Sequence, residues 1–124
     1  MNDEGFDKYT DIEHLRGGVT YLATPYSSED DGLMERRWRR VTAFAAKLES
    51  AGCTVISPVT QNREIADIGD MPESWGVWKH SCLRLLERSD FMLVLECREH
   101  LGSTWRSVGV QSEIEHARKS CIPA

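Results

Sequence analysis

Glu113 is the residue of this sequence whose setting most invites a chemical reading. It follows Ser107-Val108-Gly109-Val110, a hydroxyl and a glycine just ahead of a segment whose spacing predicts a helix. It falls between Val110 and Ala117, the i−3 and i+4 neighbours that would face a core, whereas Glu115 takes an ordinary solvated position. A carboxylate one turn inside a helix whose start can hold an anion is placed to reach a sugar whose 5′-phosphate rests on that start. As a nucleophile it would attack the anomeric carbon and form a glycosyl ester, the retaining route. The plainer reading is a surface glutamate favoured by the helix dipole. Ser107 and Gly109 divide the same way. The serine caps the helix, or it joins backbone N–H groups that the glycine lets approach a phosphate.

Other residues offer weaker chemistry. Trp75 and Trp78 stand at i,i+3 beside a long turn-rich stretch, where aromatic faces either stack a nucleobase or pack as core or lid. Arg36, Arg37, Arg39 and Arg40 surround Trp38, but Trp38 falls on an apolar helical face and the arginines spread around the rest, which reads as a solvated face. One of them is free to lean toward a phosphate at the first loop. His14, His80, His100 and His116 have no assigned role. No G-x-G-x-x-G fingerprint, Walker loop, Ser-His-Asp order or metal-ligand cluster is present.

The elements that must position these groups follow from composition and periodicity. At 124 residues, with 40% hydrophobic and 28% charged residues, the chain suits one soluble domain. Its net charge of −5 argues against nucleic acid as the main partner. Cys53, Cys82, Cys97 and Cys121 form no CxxC pair, and the N-terminal stretch has neither a basic start nor an apolar run. A cytoplasmic protein with reduced thiols is expected, without a membrane-spanning segment, metal or cofactor.

Residues 1–18 read as an acidic, loosely packed extension ending in Gly17-Gly18, and residues 19–124 as the domain. Val19 to Ala23 is the first strand, leading into the turn-rich TPYSS. A helix is expected from about Leu33 to Ser50, stopped at Gly52, and a buried strand from Cys53 to Ser57, stopped by Pro58. Residues 59–74 read as a long connection. A helix from about Ser74 to Arg88, a strand from Asp90 to Glu96, the Glu113 helix to about Lys119 and a short strand in CIPA complete the reading. This alternation predicts an α/β fold: a three-layer, flavodoxin/Rossmann-like parallel sheet with helices on both faces and ligands at the carboxyl ends of its strands.

Taken together, YLATPYS at the first strand, SPV after the second, W-x-x-W before a helix and W-R-S-V-G-V-Q-S-E-I-E-H-A after the third resemble the nucleoside 2-deoxyribosyltransferase superfamily, across Val19 to Ala124. That resemblance implies cleavage of N-glycosidic bonds with Glu113 as nucleophile and Tyr21 positioning it. Ser107 and Gly109 match the phosphate-binding serine and glycine of the nucleotide N-hydrolase branch. Thr24, Tyr26 and Ser27 fall in the first phosphate-contacting loop. It also implies a homo-oligomer acting on a nucleotide or nucleoside; residues 59–74 with Trp75 and Trp78 are expected to line the base. One departure stands out: Cys82 occupies the position where the family places an aspartate that helps protonate the departing base.

Overall fold

The computed structural model describes residues 12–26, 30–95 and 108–120, without the side chains of Ile12 and Val108. Its elements run α1 (Ile12–Leu15), β1 (Val19–Ala23), α2 (Asp31–Ser50), β2 (Thr54–Ile56), α3 (Pro58–Ile68), α4 (Trp75–Glu87), β3 (Phe91–Val94) and α5 (Val108–Lys119). The three strands are parallel in the order β2-β1-β3, with Tyr21 opposite Ile56 on one side and Met92 on the other. The chain steps from β1 to one neighbour and then across β1 to the other. Right-handed crossovers in opposite directions put their helices on opposite faces.

The core confirms that arrangement. Leu22, Val41 and Leu95 pack with Val55 and Leu93 on the α2 side, whereas Tyr21, Ala23 and Met92 pack with Cys82, Leu86 and Ala117 on the side of α4 and α5. Alternation along β1 sends successive side chains to these two faces. The order reverses between β1 and β3, which makes their carboxyl ends the switch point of the sheet. There the Leu95 N–H donates to the Ala23 carbonyl at 2.8 Å.

Local chemistry sets the ends of α2. Asp30 accepts from the Leu33 N–H at 3.2 Å as N-cap, so the helix begins at Asp31, slightly ahead of the expected start. Gly52 follows the C-cap in a left-handed conformation, φ 91°, and the Cys53 N–H closes back onto the Leu48 carbonyl at 3.0 Å.

Two expectations need correction. Residues 59–74 are not one long connection: Pro58 does end the strand, but it also opens α3, where its missing N–H costs nothing at the first helical position. The stripe of a buried helix is absent because α3 docks through polar groups. Thr60 bonds the hydroxyls of Thr42 and Ser57 at 2.9 and 2.8 Å, while Ile68 is 86% exposed. Nor does packing begin at Val19. Leu15 is buried with Leu48 and Cys53, and Gly18 lies against Asp90 so closely that a Cβ would sit 2.6 Å from its carboxylate. That carboxylate accepts the Val19 N–H at 2.8 Å. Residues 1–11 and the expected CIPA strand lie outside the described residues. Among the described residues no helix is long and apolar enough to cross a membrane.

Candidate active site

The face of α5 that meets the sheet carries Val110, Glu113 and Ala117, all buried, with Glu113 only 5% exposed. Directly facing it is Tyr21 of β1, at 0%, whose hydroxyl donates to Glu113 Oε2. Loss of water is the dominant influence on the carboxyl and pushes its pKa up to about 7; the Tyr21 hydrogen bond pulls it back down. The phenol is itself driven far above its ordinary range, first by burial and then by the Glu113 charge, so it stays a donor. One carboxylate oxygen is thus held by Tyr21.

Cys82 comes from α4, is 4% exposed and adjoins the same pair. Burial, then the Glu113 charge, pushes its thiol up to about 11, so it is neutral across the physiological range. Asn62 of α3 donates to its sulfur at 3.8 Å. Sequence reasoning missed Asn62 because α3 read as a connection. His80, two residues before Cys82, lies on the exposed side of α4 and so points away from the pair.

Both α4 and α5 begin at the carboxyl edge of the sheet, and their first turns touch. A Cβ on Gly109 would stand 3.2 Å from Cδ2 and Cε3 of Trp75. The glycine therefore has a packing reason of its own, the passage of an indole ring, beside the phosphate role expected of it. Trp78 turns its Nε1 to the Pro72 carbonyl at 2.9 Å and ties down the chain ahead of α4. Thr24 is buried at the end of β1. The Tyr26 hydroxyl donates to Glu73, and its carbonyl accepts from Arg37 Nη1 at 3.1 Å. Ser27 and Ser107 lie outside the described residues.

The arginine-rich helix is not simply a solvated face. Arg37 is buried, because its guanidinium holds the first loop. Trp38 supports the guanidinium of Arg63 at 4.2 Å, and Arg63 pairs with Glu35, which also takes Arg39 at 3.0 Å. Glu73 and Arg37 hold the first loop and Arg63 joins α3 to α2, and no periodicity announces such pairings. Among the described residues no group of three or more His, Cys, Asp or Glu side chains is arranged to hold a metal ion.

Tyr21, Cys82 and Glu113 thus meet in one buried cluster, with Trp75 and Gly109 at the same end of the sheet. Such a cluster offers a carboxylate nucleophile held by a phenol and flanked by a neutral thiol. In comparison with known families, the one described as "Domain of unknown function (DUF1937)" matches residues 18–123, and the chain belongs to it. No curated protein matches the chain.

Proposed function

We propose that this member of the DUF1937 family cleaves the N-glycosidic bond of a (deoxy)nucleoside 5′-monophosphate. The observation that carries the reading is Glu113, buried against β1 and hydrogen-bonded by Tyr21. The resemblance to nucleoside 2-deoxyribosyltransferases supports the same chemistry.

The unbound oxygen of ionised Glu113 bonds to C1′ as the C1′–N bond breaks, and the bonding pair leaves with the base, which takes a proton. Water then attacks C1′, loses a proton and returns Glu113 as carboxylate with free sugar phosphate. A second base in place of water gives transfer instead. Tyr21 keeps one carboxylate oxygen engaged and so aims the other. Ser107, Gly109 and the α5 N-terminus receive the phosphate, with Thr24, Tyr26 and Ser27 on the first loop. Trp75 and Trp78 flank the base. A homo-oligomer in the cytoplasm, independent of nucleic acid, completes the reading.

Cys82 favours a second reading. A thiol held near 11 is a poor proton donor to a leaving base, which suits a nucleotide-binding module without turnover. The two separate on one assay: incubation with a panel of ribo- and deoxyribonucleoside monophosphates, free base followed by chromatography. Release that Glu113→Gln abolishes while nucleotide binding persists is the expected result. Binding without release from any nucleotide establishes the module.

A further inference from the structure

The reacting groups are sealed. Glu113, Tyr21 and Cys82 are each no more than 5% exposed, so neighbouring groups must shift before a sugar carbon reaches the carboxylate. Trp75 packs on the cluster that holds Tyr21 and Cys82. Glu113 is four residues beyond Gly109, about 6 Å along α5, and Cys82 seven residues beyond Trp75, about 10 Å along α4. The Trp75 ring on Gly109 therefore lies at the start of both helices, one to two turns ahead of both groups.

The segment bearing Trp75 has few anchors of its own at the start of α4. Ser74, the N-cap of α4, makes no side-chain capping bond, which leaves the first turn without the usual anchor. Gly76 follows Trp75 directly, and a Cβ there would meet nothing within 4 Å. Gly adds backbone freedom at the second residue of the helix. Upstream, Asp70 takes a left-handed φ of 51°. Between these two points the segment is tied by the Trp78 bond to Pro72 and the Tyr26 bond to Glu73.

We propose that the first turn of α4 is a gate, with Trp75 swinging off Gly109 to admit the nucleotide to Glu113 and packing back to exclude water. The purpose of the gate rests on reading Glu113 as the reacting group; its motion does not.

Thiol accessibility tests it without turnover. Native full-length protein is treated with iodoacetamide, and the alkylation of Cys82 and Cys53 is followed separately by peptide mass spectrometry. Cys53, buried on the opposite face with Leu15 and Leu48, reports any general loosening. Trp75→Ala is expected to accelerate Cys82 labelling tenfold or more with Cys53 unchanged. Gly109→Ala, which crowds the closed ring, is expected to do the same, and to add nothing in the Trp75→Ala background. An unchanged Cys82 rate, or parallel acceleration of Cys53, overturns the gate. Unchanged labelling with Glu113-dependent base release sinks the gate alone. Faster Cys82 labelling with no release from any nucleotide leaves the gate standing and removes the glycosidase reading.

Discussion

The two faces of the sheet are built on opposite principles. On the α2 side, Leu15, Leu22, Val41, Leu48 and Cys53 form an apolar layer, and the helix over it is capped at both ends. On the α4–α5 side the strand offers a tyrosine, the helices answer with a glutamate and a cysteine, and α4 starts without a side-chain cap. Burying a carboxyl opposes folding unless it is bonded or neutral. Both faces supply apolar burial, and the second gives up some of it to hold the Tyr21–Glu113 pair.

The sharpest break between the faces is in activity. Glu113→Gln is expected to lower base release by about a thousandfold, as removal of a nucleophile does, and Leu48→Ala to leave turnover per folded molecule unchanged. A chromatographic time course on both variants decides it. In stability the order reverses: Leu48→Ala opens a cavity in the apolar layer and should cost about 3 kcal/mol in urea unfolding.

Glu113 has its own pH signature. Below about pH 4.5 its carboxyl is neutral in folded and unfolded chains alike, with no ionisation penalty. Between there and about 7 the unfolded chain ionises while the folded one keeps its proton, so stability falls as pH rises; above about 7 it levels off. The loss is about 3 kcal/mol. Urea titrations at pH 5 and 8 should show it in the wild type and not in Glu113→Gln. Base release should climb through about pH 7 as the nucleophile ionises. The smallest contrast is in the caps: Asp30→Ala is expected to cost about 1 kcal/mol, and Ser74→Ala no more than a few tenths.

What was readable in the sequence tracks the same division. The strands and α2, α4 and α5 announce themselves because aliphatic burial leaves a period, and Glu113 stands out by interrupting one at Val110 and Ala117. Helix α3 was illegible because it docks on Thr42 and Trp38 of α2 through Thr60 rather than by an aliphatic stripe, and Asn62 and Arg63 went unread with it. The link from Tyr26 to Glu73 spans 47 residues between loops, where no local pattern exists to read. Gly109 was legible as special, but the Trp75 ring behind it was not, since a glycine in sequence does not say what approaches it.

The Tyr21–Glu113 bond also dates the site within the life of the chain. Its partners are 92 residues apart, and the strand bearing the tyrosine reaches its β3 neighbour only after α2, α3 and α4 have been made. During synthesis the stable α2 layer can collapse on β1 and β2 while the tyrosine still waits for its carboxylate. A chain interrupted anywhere between the two residues carries one half of the pair alone, so the proposed chemistry needs α5 to have docked.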